Sequence, residues 1–284
     1  MNMKPILKYR GGKSREIKYF KKHIPKFDTY YEPFLGGGAV YFYLEPKKAV
    51  LNDINKRLID FYKDVQDEYE LTHLQLEKLG IEYKHNRELF DKEKKKNPDK
   101  RVPDQNEPIY YEIRDMFNGK KATDLTYATV YFYINKTAYS GMIRYNKEGD
   151  FNVPYGRYKN FNTDLLTREH YELLKSADLL NGDYKKSFEL AGPNDFMFLD
   201  PPYDTVFSEY GNEVFTGDFG EDDHRRLAED FKNLQCKALM VIGETELTDE
   251  LYNGYIKGKY SKNYSVNIRN RFKSSANHLI VTNY

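Results

Sequence analysis

Asp200-Pro201-Pro202-Tyr203 follows directly on the apolar run Phe196 to Leu199, and those four residue types together describe a pocket for a flat amine. An amine conjugated with a purine ring is a poor nucleophile because its lone pair is delocalised into the ring. Acceptors for its two hydrogens would localise that pair. The Asp200 carboxylate offers one acceptor and the Pro201 carbonyl the other, held in a narrow range of directions because Pro201 and Pro202 fix φ. Tyr203 supplies a ring to stack on the base. The same tetrapeptide also describes an ordinary Pro-Pro turn closing a buried strand, with Tyr203 in the core, so the rest of the chain has to decide.

A second constellation lies upstream. Tyr30 to Glu32 reads as a short strand stopping at Pro33, followed by Gly36-Gly37-Gly38 and a helix over Ala39 to Leu44. Ala49 to Asn52 reads as a second buried strand that ends at Asp53. Glycines after one strand and an acid at the end of the next suit a nucleoside without phosphates: backbone at Gly36 and Gly38 near the ligand, the Asp53 carboxylate on ribose hydroxyls. S-adenosylmethionine is such a ligand and the usual methyl donor for a weak amine.

Competing motifs fail on spacing. Gly12-Lys13-Ser14 lacks the upstream glycine of a P-loop, since Leu7 stands there, and Tyr41 occupies the third glycine of a dinucleotide fingerprint. Asp218-Phe219-Gly220 has no supporting kinase motif. The six histidines show no metal-ligand spacing, and the single cysteine, Cys236, excludes an internal disulfide and a multi-cysteine zinc site, so no metal is expected.

These residues need elements to hold them. A helix pattern runs from Ile54 to Val65. The segment 84 to 108, with the run Lys92 to Lys96 and then Asn97-Pro98 and Val102-Pro103, reads as a mobile surface stretch. Tyr127, Val130, Tyr131 and Ile134 mark one buried helix face. Further on come a helix over Arg168 to Leu179, the strand Phe196 to Leu199, a helix over Asp222 to Leu234, and strands at Lys237 to Ile242 and Leu279 to Thr282. This is an α/β pattern: a Rossmann-like sheet over residues 1–66 and 166–284, interrupted by a mainly helical insertion over 67–165 that carries a β-hairpin.

The net charge of +1 hides an uneven distribution. Residues 1–27 sum to +8 and residues 255–284 to +6, which leaves −13 for the middle. The basic ends either share one face able to contact phosphates or are solvated independently. With no long apolar run and no signal-like start, a soluble cytoplasmic protein without membrane contact is expected.

In order and spacing these motifs resemble the Dam-type, D12-family DNA adenine N6-methyltransferases. Lys8 to Lys13 is similar to the family's K-W-x-G-G-K with Tyr9 in place of Trp, and Glu32 to Gly38 to its E-P-F-x-G-G-G. Asn52 to Asn55 resembles the acid-bearing end of its second strand, Gly182-Asp183-Tyr184 its short adenine-side motif, and Asp200 to Tyr203 its catalytic loop. The resemblance implies transfer of a methyl group from S-adenosylmethionine to N6 of a flipped-out adenine in duplex DNA. Tyr9, Lys13, Asp53 and Asp200 would contact the donor, with Phe34, Gly36, Gly38, Asp183 and Tyr184 around it. Arg144-Tyr145-Asn146 and the segment from Gly149 to Arg157 are similar to the family's reading hairpin, with a turn at Lys147 to Gly149. Arg144 is then expected on guanine, Tyr139 as an aromatic wedge, and Asn146, Asn152 and Pro154 along the DNA. Ser140-Gly141-Met142 replaces the Asn-Gly-Leu usual in GATC-reading members, which leaves the recognition sequence open. A cognate restriction endonuclease in the same system also stays open. The alternatives are a methyltransferase for another planar amine (cytosine N4 or RNA adenine) and a catalytically silent DNA-binding subunit; a nicotinamide enzyme fits poorly because of the broken fingerprint.

Overall fold

In a computed structural model, residues 3–141, 143–203, 219–263 and 275–284 are described. Met142, Asp218 and residues 264–274 of the basic end 255–284 lie outside the described residues. The chain divides into two compact units: one holds Met1–Gly12 and Arg57–Lys175, the other Lys13–Lys56 and, beyond Ser176, the remainder of the sheet.

The second unit is built on seven strands among the described residues: β1 (Tyr30–Glu32), β2 (Ala49–Asp53), β3 (Ala177–Asn181), β4 (Phe196–Leu199), β5 (Lys237–Gly243), β6 (Ile256–Asn263) and β7 (Ser275–Thr282). They lie in the order β3-β2-β1-β4-β5-β7-β6. The first five run parallel, while β7 is antiparallel to both β5 and β6. β1, β2 and β4 are buried along their whole length, as apolar strands covered on both faces must be. Chain order reverses between β1 and β4, and that switch point is where open α/β sheets take ligands, at the carboxyl ends of their strands.

In chain order the described helices are α1 (Ile17–Phe20), α2 (Ala39–Leu44), α3 (Lys56–Lys96), α4 (Asn106–Phe117), α5 (Tyr127–Thr137), α6 (Arg168–Lys175), α7 (Lys185–Leu190), α8 (Glu221–Lys232) and α9 (Glu246–Leu251). α3, α4, α5 and α6 form the first unit, apart from Lys56. The expected helix α5 is present, but it is buried on every side rather than on one face: Ala128 through Thr137 are all buried, Val130, Tyr131 and Ile134 among them, while Tyr127 is only half-buried. Thr126 caps that helix by accepting from the Thr129 amide. Three buried tyrosine hydroxyls of this unit are hydrogen-bonded, as most buried polar groups are: Tyr83 bonds Tyr155 at 2.9 Å, and Tyr110 donates to the Val153 carbonyl at 2.8 Å.

Two expectations are corrected. The segment 84–108 lies largely on the surface, as expected, but it is helical through Lys96 and again from Asn106. α3 continues through Lys96, since Lys and Glu are strong helix formers, and Asn97-Pro98 ends it. Beyond it Asp104 and Asn106 are buried, and Asn106 donates to the Tyr83 carbonyl at 3.0 Å. The helix expected to reach Leu179 stops at Lys175, and Ala177–Asn181 forms β3 instead, paired in parallel with β2.

Candidate active site

Each parallel strand delivers its functional residue at its carboxyl end. β1 runs into the glycine loop, where Gly36 and Gly38 take positive φ of 48° and 64°. A Cβ on Gly38 would lie 3.0 Å from the Phe42 ring. β2 ends in Asp53, whose Oδ2 accepts the Gly36 amide at 2.8 Å while Oδ1 accepts the Asn55 amide at 2.9 Å. The acid and the glycine loop are therefore one hydrogen-bonded unit. Burial raises the Asp53 carboxyl to about 6, with the two amide bonds opposing that rise.

β3 leads into Gly182-Asp183-Tyr184. Asp183 accepts the Lys185 amide at 2.9 Å and pairs with Arg226 at 2.8 Å. Burial works to raise the Asp183 carboxyl, but these bonds and the positive charge of Arg226 and Lys185 leave it below the usual range. Tyr184 is buried, donates to Asp230 at 2.8 Å, and packs its ring 5.6 Å from that of Phe34.

β4 leads into Asp200. Its Oδ2 accepts from the Lys13 ammonium at 2.6 Å, and the Lys13 side chain is 2% exposed. Oδ1 is buried and has no hydrogen-bond partner among the described residues. Burial raises the Asp200 carboxyl above the ordinary aspartate range, and the Lys13 charge and hydrogen bond offset part of that. The same ammonium lies 5.1 Å from the centre of the Tyr203 ring. Tyr203 also meets the His278 ring edge-to-face, with centroids 5.0 Å apart.

The second unit thus holds Lys13, Phe34, Gly36, Gly38, Asp53, Asp183, Tyr184, Asp200, Pro201, Pro202 and Tyr203. Tyr9 belongs to the first unit, where its carbonyl accepts the Gly12 amide at 3.4 Å. A further acid stands under the glycine loop. Glu32 is buried, accepts from the Tyr30 hydroxyl at 2.8 Å and from the Tyr41 amide of α2 at 3.1 Å. Burial raises its carboxyl to about 8.

The hairpin segment lies wholly in the first unit. Its turn is closed by the Asn146 amide on the Asp150 carbonyl at 2.8 Å, and the Asn146 side-chain oxygen accepts the amides of Glu148 and Asp150. The arms pair antiparallel as single bridges, Ala138 with Tyr155 and Tyr145 with Phe151, rather than as continuous strands. Arg144 is exposed and its Nε donates to the Asn152 side-chain oxygen at 2.9 Å. Tyr139 is 48% exposed and its amide donates to the Pro154 carbonyl at 2.9 Å, and Pro154 is exposed.

Comparison with known proteins decides the family. Residues 9–268 match the model of the D12 class N6 adenine-specific DNA methyltransferases. The chain belongs to this family. It is 36% identical to the Type II methyltransferase M.CviBI of Paramecium bursaria Chlorella virus NC1A, over 99% of this chain and 100% of that protein. It is 32% identical to the Type II methyltransferase M.MjaIII of Methanocaldococcus jannaschii, with both chains fully covered. To the DNA adenine methylase of Salmonella typhi it is 30% identical, over 87% of this chain and 83% of that one. The chain is an adenine-specific DNA methyltransferase with a mixed α/β fold. Among the described residues there is no group of side chains that could hold a metal ion and no helix long and apolar enough to cross a membrane.

Within this methyltransferase frame, sequence reading overlooked residues that organise the strand ends. The Asn52 amide donates to the Pro33 carbonyl at 3.0 Å and to the Gly182 carbonyl at 2.9 Å, joining the loops after β1 and β3 through the end of β2. Its position just before Asp53 was the available signal. A Cβ on Gly243 would lie 3.4 Å from the Tyr203 ring. The following Glu244 is tied to Asn277 at 2.7 Å and Lys259 at 3.0 Å, a structural bond to the neighbouring strands.

Proposed function

We propose that this chain transfers a methyl group from S-adenosylmethionine to N6 of an adenine flipped out of a short duplex DNA sequence. The observation that carries the reading is Asp200: one carboxylate oxygen is fixed on Lys13 and the other is buried with no hydrogen-bond partner among the described residues, at the end of a strand that neighbours β1 and its glycine loop. A buried acceptor left unmatched costs about 1–3 kcal/mol, and an amine hydrogen of the target base would recover it.

The residues present fit the donor. Asp53 suits ribose hydroxyls, Gly36 and Gly38 allow close approach of backbone, and Phe34 offers a ring face. Asp183 keeps carboxylate lone pairs beyond its bonds to Lys185 and Arg226, with Tyr184 behind it, and Tyr9 and Lys13 complete the set. When bound, the donor supplies a methyl group activated by its sulfonium charge.

The chain's own residues do the rest. Asp200 Oδ1 and the Pro201 carbonyl accept the two hydrogens of N6 and aim its lone pair, with Pro202 keeping that carbonyl rigid. Tyr203 stacks on the base. The Asp200 carboxylate also stabilises the positive charge that grows on nitrogen, a preorganised effect of the kind worth about 10²–10³ in rate. Lys13 favours the ionised form of Asp200, which burial alone would disfavour.

Target recognition falls to the insertion over 67–165. Arg144 reads guanine, Tyr139 fills the space left in the duplex, and Asn146, Asn152 and Pro154 line the DNA. The site is a short sequence similar to GATC. A cognate restriction endonuclease in the same system is in keeping with relatives named Type II methyltransferases. Sequencing methylated bases in DNA from cells that express the chain tests the reading. N6-methyladenine in one short context supports it; N4-methylcytosine, or methylation confined to RNA, contradicts it.

A further inference from the structure

Tyr203 rests on a polar assembly that the family motifs do not include. His278, on β7, is fully buried and pairs across the sheet with Gly243 of β5. Its ring meets Tyr203 edge-to-face with centroids 5.0 Å apart. Its Nδ1 lies 2.9 Å from Glu16 Oε2 and 3.2 Å from the Tyr260 hydroxyl. Glu16 is 4% exposed, and besides His278 it accepts from Tyr260 at 2.6 Å and pairs with Lys262 at 2.6 Å. The carboxylate cannot donate, so the hydrogen on Nδ1 points at Glu16 and fixes both the tautomer and the ring plane.

The chemistry argues against simple packing. Burying a carboxylate, an imidazole and a phenol together costs desolvation, and apolar residues of the same volume would fill such a space at least as well. Burial pushes the Glu16 carboxyl up, yet the bonds from His278, Lys262 and Tyr260 and the charge of Lys13 outweigh it and hold the group at about 2. Glu16 therefore stays ionised and keeps its grip on His278. It follows Lys13 by three residues, its amide donating to the Lys13 carbonyl at 2.7 Å. One short segment thus places Lys13 on Asp200 and Glu16 on His278, so both ends of the Asp-Pro-Pro-Tyr motif are set by the same turn.

We propose that Glu16, Tyr260 and His278 are positioning residues that fix the plane of the Tyr203 ring for stacking on the target adenine. The proposal rests on the reading of Tyr203 as the base-stacking residue. Gly243 forms the floor without a side chain, and His278 forms the wall.

The test compares the full-length protein with His278→Leu, Tyr260→Phe, Tyr203→Ala and the Tyr203→Ala/His278→Leu double variant. The substrate is a duplex carrying its methylated sequence, with 2-aminopurine replacing the target adenine in a parallel fluorescence series. His278→Leu should lower kcat at least tenfold while KM for S-adenosylmethionine changes less than twofold, and should move the 2-aminopurine signal toward that of Tyr203→Ala. Tyr260→Phe, which keeps ring and volume, should act in the same direction more weakly and carries the test should His278→Leu not fold. In the Tyr203→Ala background, His278→Leu should cost less than a further twofold. Full additivity in the double variant, or a kcat loss with unchanged 2-aminopurine signal and a parallel loss of donor binding, overturns the proposal. A wild-type protein that leaves DNA adenine unmethylated overturns the underlying reading instead, and is seen before any substitution is compared.

Discussion

The Lys13 ammonium lies 2.6 Å from Asp200 Oδ2 and is almost completely shielded from water. The first motif of the chain thereby determines the charge on the catalytic motif 187 residues later. Removing one partner of a buried pair leaves the other charge uncompensated. Lys13→Met should lower kcat/KM by about 10²-fold or more. It should also move the acidic limb of the pH–rate profile upward, because Asp200 loses the charge that opposes its burial. A profile that falls in height with no displacement of its limb would show that Lys13 acts elsewhere.

Asp53 gives donor binding its own pH dependence. Its carboxyl titrates at about 6, and the ribose contact requires the ionised form. KM for S-adenosylmethionine should rise as pH falls through 6, and Asp53→Asn should bind weakly with little dependence on pH. Calorimetric titration with S-adenosylhomocysteine between pH 5 and 8 reads this directly.

Glu32 should tilt the stability curve. Its folded-state carboxyl titrates at about 8 against an ordinary value of 4.5, so in that interval the folded protein holds a proton the unfolded chain has released. Its contribution is most favourable below 4.5, declines as pH rises toward 8, and is constant above. Urea midpoints at pH 5, 7 and 9 should fall less steeply in Glu32→Gln than in wild type, by an amount on the order of a few kcal/mol across the range.

Gly38 and Gly149 both adopt left-handed backbone, with φ of 64° and 82°, but only Gly38 is crowded, by the Phe42 ring. Alanine at either position should cost about 1 kcal/mol of stability from backbone conformation. Gly38→Ala should in addition raise KM for the donor at least tenfold, while Gly149→Ala leaves it unchanged. Thermal melts and steady-state kinetics on the pair separate the two effects.

Arg144 is exposed, so its removal should leave stability within about 0.5 kcal/mol. Arg144→Ala should relax sequence preference at one position of the site by about 1–3 kcal/mol of discrimination, visible when methylated contexts are sequenced. Asn146→Ala should instead lower stability, because that side chain closes its own turn.

Strands such as Ala49–Asp53 and Phe196–Leu199 were legible as short apolar runs bounded by turn residues, and the motifs at their ends followed. β6 was not, because Lys257, Lys259 and Lys262 along an edge strand read as solvated chain; charged edges resist pairing with other molecules. β3 was hidden because Ala177, Leu179 and Leu180 continue the apolar pattern of α6 without a breaking residue. The support under Tyr203 was invisible for another reason: Glu16 and His278 are single residues 262 positions apart, joined only because the antiparallel strand β7 returns to the active-site edge. Within the second unit, Tyr19 stacks on Tyr260 at 4.5 Å.

Methyl transfer in a single turnover tests the central claim most directly. Purified wild-type and Asp200→Ala proteins are mixed with labelled S-adenosylmethionine and duplex DNA, and the nucleosides are then separated. Label in N6-methyldeoxyadenosine with wild type, and its loss in Asp200→Ala while DNA binding persists, is the predicted result. Label in another nucleoside, or undiminished adenine methylation by Asp200→Ala, would contradict the account.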